Sequence, residues 1–227
     1  MFQESFNFGW SATNWITLYH CGFTPLGKTK PFERPRRESI GEVYTLNSGL
    51  VRWAYELTRS IRLADNEKAQ RDRARYHGFS RALAGPEVLM GATLSSSTYW
   101  HGKLVNQWAH DWVKYWTDGK GEYYTTAMED TGTMQALTNL AKAGRVDLNR
   151  VLVLRTASNF DSPPPAVSAA QDLKDQETGH YAAYLPSLET AFAVGNRVAS
   201  ELLDHWETYS IQIPGPTSVA SPSPKSN

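Results

Sequence analysis

The sequence has one cysteine, Cys21, in 227 residues, so no disulfide can form within the chain. Its six histidines are scattered and form neither a His-x-His nor a His-Glu-x-x-His pair. A zinc site built on a short local motif is therefore excluded, since such sites need ligands at fixed short spacing. We expect no resident metal and no cofactor.

The sequence also lacks an excess of either charge, because lysine plus arginine total 23 and aspartate plus glutamate total 23. No net field would draw the protein to nucleic acid or to an anionic membrane. The strongest apolar runs, such as residues 151–154, are far shorter than the roughly 20 residues of a membrane-spanning helix. We expect no nucleic-acid partner and no span in this chain. The first residues lack a secretory pattern, which leaves the compartment open.

Three regions differ in composition along the chain. Residues 1–39 mix aromatic, glycine, proline and basic residues without a sustained period, which predicts an irregular N-terminal connection. Residues 40–209 carry helix-like and strand-like patterns and predict one domain. Residues 210–227 are rich in proline and serine and predict a disordered tail.

The first predicted helix follows Asn47, a favourable N-cap residue. Its apolar residues Leu50, Trp53 and Leu57 recur at helical spacing, which predicts a helix that faces the core. Residues 65–77 are charged nearly all round and predict a solvated helix or loop.

Strand-like and helix-like segments alternate farther along. Strands are predicted over 87–94, 123–128 and 151–154, and helices over 101–117, around Met134 to Leu140, and from Pro186 to about Tyr209. This alternation predicts an α/β layered domain. Ligands in such domains bind at the carboxyl ends of the strands, so polar residues that follow each strand are the candidates for a site.

Glu129 follows the second predicted strand and begins a helix, whose dipole favours an ionised carboxylate that accepts hydrogen bonds. A vicinal diol is a natural partner for such a group. The alternative is that Glu129 or Asp130 only caps the helix. Tyr99 and Trp100, which follow the first strand, have the same two interpretations, because they could stack on a base or only fill the core.

Four segments together carry a resemblance to a known family. They are LSSSTYWHGKLVNQW at 94–108, AMEDTGTMQAL at 127–137, GRVDLNRVLVLRTASNF at 144–160 and AYLPSLE at 183–189. In this order they resemble the purine nucleoside permease family of fungi and some bacteria, from about Trp15 to Tyr209. The resemblance implies a purine nucleoside as partner and a role in nucleoside uptake.

That family is in turn similar to the nucleoside phosphorylases and nucleosidases, whose α/β fold has a central mixed sheet flanked by helices. The resemblance implies that Met128 and Glu129 hold the ribose, and that Ser158 and Asn159 meet the base. Asn159 stands where many members carry an acid. An amide cannot protonate N7 as an acid does, but it can donate a hydrogen bond to N7 or to a 6-oxo group.

The same resemblance implies a role for the turn that follows the first strand. Ser97 falls in a serine-containing turn, and Trp100 matches an aromatic residue that packs on the base, ahead of its neighbour Tyr99. Asn159 is the candidate catalytic residue, as the base contact.

The resemblance also implies an earlier strand and a glycine-rich turn that help bind phosphate, the possible co-substrate. The match begins after that segment, so we expect an N-terminally truncated version of the fold with its first strands missing. An exposed sheet edge would then favour association, including a homo-oligomer.

Three functions stay open at this point. The first is a purine nucleoside-binding protein that acts in uptake, which needs a membrane partner or capture outside the cell because an α/β domain cannot conduct a solute. The second is an enzyme that cleaves the N-glycosidic bond of purine nucleosides by phosphorolysis or hydrolysis. The third is an inactive truncated paralogue.

Overall fold

The computed structural model describes residues 29–30, 33, 43–96, 99–179 and 181–216. Helices predominate in these residues, and two strands form a small parallel sheet. A 3-10 turn spans Leu148–Arg150. The elements are α1 (Ser48–Thr58), α2 (Glu67–Ala74), α3 (Ser80–Leu83), β1 (Ala92–Ser95), α4 (Lys103–Trp116), β2 (Tyr123–Ala127), α5 (Asp130–Lys142), α6 (Ala169–Gly179), α7 (Tyr184–Asp204) and α8 (Trp206–Tyr209).

The chain divides into two compact units, each made from separate stretches of sequence. In the described residues, the first unit comprises Gly91–Asn139 and Phe160–Thr178, and it contains the sheet and α4. The second comprises Thr45–Met90, Leu140–Asn159 and the residues from Gly179 onward, and it contains α1, α2, α3, α7 and α8.

A strand–helix–strand unit forms the centre of the first unit. β1 and β2 are parallel, with Ser95 opposite Ala127, and α4 makes the crossover that a parallel pair requires. Leu94 of β1, Tyr123 of β2 and Trp112 of α4 are buried together in one apolar cluster. The predicted helix over 101–117 and strand over 123–128 are therefore confirmed.

Gly91 explains where β1 begins. A Cβ atom at this position would lie 2.0 Å from Cδ2 of Tyr124 and 2.8 Å from the carbonyl oxygen of Glu122, so only glycine fits. Ladder bonding begins at the next residue, where the amide of Ala92 donates to the Glu122 oxygen at 2.8 Å. The strand predicted from residue 87 is thus shorter than expected, and it starts at Ala92.

The core of the second unit is built on α1. The Oδ1 atom of Asn47 accepts from the amides of Gly49 at 3.0 Å and Leu50 at 3.3 Å, which confirms the predicted N-cap. Leu50, Trp53 and Leu57 are buried, and the Trp53 ring meets the Tyr209 ring edge-on at 5.6 Å between centroids.

The charged segment forms a solvated helix, α2, as predicted. Asn66 caps it, and Arg73 makes a salt bridge of 2.7 Å with Asp65. This hydrogen-bonded pair lowers the pKa of Asp65 to about 2. The pair therefore adds stability that is complete above the ordinary pKa of 3.8 and is lost as the pH falls toward 2.

The predicted strand over 151–154 is wrong. These residues have no strand partner in the described part of the chain and form no regular element. Leu152 packs against the cluster around Trp53, whereas Val153 and Leu154 are exposed, so the run is covered on one side only. Apolar content alone did not distinguish a strand buried on both faces from an extended segment that rests on a helical core.

The fold class is confirmed at its coarse level, because the chain is mixed α/β. The layered architecture around a central mixed sheet, the truncation, and the domain boundaries at 39 and 209 stay predictions. The connection over 1–39 lies almost wholly outside the described residues, as does the tail beyond residue 216.

Candidate functional site

The carboxyl ends of β1 and β2 meet at one edge of the sheet. The amide of Ser96 donates to the carbonyl oxygen of Ala127 at 3.0 Å, and this bond holds the start of the turn after β1 beside the residues that follow β2. Met128 comes next and is exposed. Two of the three predicted strand ends therefore come together in the first unit.

Glu129 lies at this edge, directly before α5. Its carbonyl oxygen accepts from the amide of Thr133 at 3.0 Å, and its Oε2 atom accepts from the amide of Met128 at 3.2 Å. The side chain is exposed. The carboxylate thus stands at a helix N-terminus, where its negative charge is favoured, and carboxylate oxygens are groups that accept hydrogen bonds from hydroxyls.

Trp100 is half-buried and packs on the core of the first unit. Its ring lies 6.4 Å from that of Tyr123 at an interplanar angle of 31°. The packing interpretation is therefore confirmed for Trp100, while its contact with a base stays a prediction. Tyr99 is exposed, and Ser97 lies outside the described residues.

Ser158 and Asn159 belong to the second unit, whereas Met128 and Glu129 belong to the first. The hydroxyl of Ser158 donates to Oδ1 of Asn159 at 3.1 Å. The carbonyl oxygen of Ser158 accepts from the amide of Ala183 at 3.2 Å, which ties the segment to the residue before α7. The NH₂ group of an asparagine amide is a donor of the kind that N7 or a 6-oxo group of a purine accepts from.

A buried histidine–aspartate pair, His101 and Asp172, lies in the first unit and was missed by the sequence analysis. Their side chains are 0% and 1% exposed, and Nε2 of His101 lies 3.0 Å from Oδ2 of Asp172. The two atoms do not meet the geometry of a hydrogen bond, so the pair is a close polar contact by distance. Neither ring nitrogen makes a hydrogen bond within the described residues. Oδ2 of Asp172 accepts a hydrogen bond from Nε2 of Gln176 at 2.8 Å.

A second polar network, centred on Asp161, lies in the same unit. Asp161 accepts from the Tyr123 hydroxyl and from Nδ2 of Asn106, the latter at 2.9 Å, and its carbonyl oxygen accepts from the amide of Gly102 at 2.9 Å. Burial, and then the charge of Asp161, raise the pKa of Tyr123. The segment from Trp100 to Gly102 is therefore held through His101 to α6 and through Gly102 to Asp161.

A profile of the purine nucleoside permease family matches residues 3–214. The chain belongs to this family. The sequence resemblance is thereby confirmed, and it rests on nearly the whole chain rather than on four segments.

Two fungal proteins are examples of relatives that are similar to this chain. A purine nucleoside permease of Candida albicans is 28% identical over 194 residues, which are 86% of this chain and 46% of the relative. A protein of Schizosaccharomyces pombe named as a probable purine nucleoside permease is 29% identical over 168 residues, which are 74% and 47% of the two chains. This permease-family chain thus spans about half the length of the curated relatives it matches. No solved structure matches it.

The described residues contain neither a helix suited to span a membrane nor a cluster of metal-binding side chains. No helix among them is both long and apolar enough to cross a membrane. No group of three or more His, Cys, Asp or Glu side chains in these ranges could hold a metal ion.

Proposed function

We propose that this chain binds purine nucleosides and serves nucleoside uptake. The observation that carries the proposal is the position of Met128 and Glu129 beside the turn after β1, at the carboxyl edge of a parallel sheet, in a chain of the purine nucleoside permease family. Parallel sheets collect ligands at this edge. An exposed carboxylate at a helix N-terminus suits the two hydroxyls of a ribose.

The proposal also includes a specific fold, that of the nucleoside phosphorylases. Parallel strands are normally covered on both faces and belong to sheets of several strands, so the pair β1–β2 fits a larger sheet of the nucleoside phosphorylase type. The roles of Ser97, Trp100, Ser158 and Asn159 at the base belong to the same proposal.

A base-release assay and a binding assay together distinguish a role in uptake from catalysis. The purified chain is incubated with inosine or adenosine, with and without phosphate, and free base is measured beside equilibrium binding. Saturable binding without base release supports a binding role in uptake. Phosphate-dependent release would instead identify a phosphorylase, phosphate-independent release a nucleosidase, and absence of binding an inactive paralogue.

Replacing Glu129 with glutamine should weaken nucleoside binding about 10- to 100-fold, because the loss of a charged hydrogen bond costs about 1.5 to 3 kcal/mol. Isothermal titration calorimetry with inosine measures the change. Glu122→Gln is the matched control, since Glu122 is exposed just before the opposite end of β2. Equal affinity of Glu129→Gln and the natural protein would remove Glu129 from the ribose.

The amide at Asn159 should favour 6-oxopurines, because its NH₂ group donates to a 6-oxo group that adenosine lacks. We expect inosine or guanosine to bind better than adenosine by about tenfold, the ratio for a hydrogen bond of about 1.4 kcal/mol. Asn159→Asp should reduce or reverse that ratio, whereas Asn139→Asp on α5 should leave it unchanged. A natural protein that prefers adenosine would contradict this assignment.

A further inference from the structure

Helix α7 has two apolar faces, and the described residues cover only one of them. Its inner face carries Val194, Val198 and Leu202, of which the last two pack against the cluster around Leu50 and Trp53. A second face, called here the outer face, consists of exposed residues and continues into the first residue of α8. Its members are Leu185, Leu188, Phe192, Ala199, Leu203 and Trp206.

The exposure of the outer face is large for apolar side chains. Leu185 is 64%, Leu188 52%, Phe192 73%, Leu203 71% and Trp206 59% exposed. At about 100° per residue, the five members within α7 fall in an arc of about 60°. They therefore form one continuous stripe, and a stripe of this kind on a protein surface marks a contact with another polypeptide or with a membrane.

The charged residues of α7 argue against a membrane as the binding partner of the outer face. Helices that lie on bilayers carry lysine and arginine on their polar side. Within α7 the charged residues are Glu189, Arg197, Glu201 and Asp204, three acidic against one basic. An anionic surface would repel this helix, whereas an apolar protein surface would not.

The spacing of the outer-face residues indicates which polypeptide could pack against them. From Leu185 to Trp206 the intervals between its members are 3, 4, 7, 4 and 3 residues, and this series reads the same in both directions. An antiparallel copy of α7 would therefore set apolar residues opposite apolar residues along its whole length. Leu188 would face Leu203 of the second copy, Leu185 would face Trp206, and Phe192 would face Ala199.

We propose that two copies of this chain dimerise through the outer face, with α7 antiparallel to its symmetry mate. The two-fold axis passes between Gly195 and Asn196. Such an interface is isologous, as in most homodimers. Ala199 is small and exposed, and it allows the two helices to approach closely near the axis. The Asn196 amide can both donate to and accept from its mate, and a central asparagine of this kind fixes the register of paired helices.

The available area suits a dimer. Five large side chains, each more than half exposed, leave on the order of 100 Å² apiece, or about 500 Å² per copy before the flanking residues are added. A stable interface buries about 800 Å² per partner. The outer face therefore supplies the apolar centre of a standard interface, and its polar neighbours supply the rim.

The first test is the molecular mass in solution. Light scattering during size-exclusion chromatography should show a dimer of the natural chain at micromolar concentration. Phe192→Glu should raise the dimer dissociation constant about 100-fold or more, because it places a charge in each half of the apolar centre. Phe79→Glu is the matched control, since Phe79 is exposed outside α7 and should leave the dimer intact. A monomeric natural chain, or a dimer unaffected by Phe192→Glu, would overturn the proposal.

The second test fixes the orientation of the helices. In a Cys21→Ser background, Asn196→Cys should give a disulfide-linked dimer on mild oxidation, because the axis brings the two copies of residue 196 together. Leu185→Cys should not link to itself, since antiparallel pairing holds its two copies at opposite ends of α7. Efficient linkage through Leu185→Cys would mean a parallel pair, and linkage through both would mean unspecific aggregation; either result contradicts the proposed dimer. Matching circular dichroism melts would show that the variants are folded.

Discussion

Replacing Asp172 with leucine should lower the free energy of unfolding by about 3 kcal/mol or more. Removing one member of a buried polar pair leaves the other shielded from water without its partner. Here the member left behind is the His101 ring, which is 0% exposed and makes no hydrogen bond within the described residues. Urea denaturation, followed by circular dichroism at fixed protein concentration, measures the change.

A double variant distinguishes the cost of leaving one partner buried alone from the cost of replacing the two side chains. Replacing both partners of a buried polar contact by apolar residues of similar shape costs far less than replacing one. His101→Phe combined with Asp172→Leu should therefore recover most of the stability lost by Asp172→Leu alone. If the single variant unfolds at the same urea concentration as the natural protein, then the pair makes no contribution to folding.

Replacing Trp53 with alanine should have a comparable effect in the second unit, about 3 to 5 kcal/mol, because it empties the centre of a core. Trp53 is fully buried, and its ring packs edge-on against Tyr209. The same urea denaturation experiment measures the loss.

Trp53→Phe is the matched control for this variant. The indole nitrogen of Trp53 makes no hydrogen bond among the described residues, so phenylalanine should lose little beyond ring area. We expect a loss of about 1 to 2 kcal/mol. Equal losses for alanine and phenylalanine would indicate that the indole nitrogen, rather than the packing of the ring, stabilises this core.

Amphipathic helices with a cap were predictable from sequence. Asn47 and the residues three, six and ten positions after it carry the local information for α1, and the structure has that helix with that cap. The parallel pairing of β1 with β2 also followed, because a helix of 14 residues separates the strands. The meeting of Ser96 with Ala127 is the direct result of that pairing.

Contacts distant in sequence were not predictable in the same way. His101 and Asp172 lie on segments whose local patterns say nothing of each other, and the pair forms only because α6 packs beside the start of α4. Gly102 and Ala169 show this packing, since a Cβ atom on the glycine would lie 3.6 Å from that of the alanine. The strand predicted over 151–154 failed for a related reason, because strand formation depends on a partner elsewhere in the chain.

The interleaving of the two units has a consequence for synthesis on the ribosome. The chain leaves the first unit after Asn139 and re-enters it at Phe160, and the second unit receives its longest helix only after Gly179. All residues of the apolar cluster in the first unit have been made once Tyr123 is added, whereas the cluster around Trp53 still lacks Val198, Leu202 and Tyr209. A nascent chain that exposes this unfinished second core until late in synthesis is a substrate for chaperones. A stop codon anywhere between residues 91 and 159 would remove parts of both units at once.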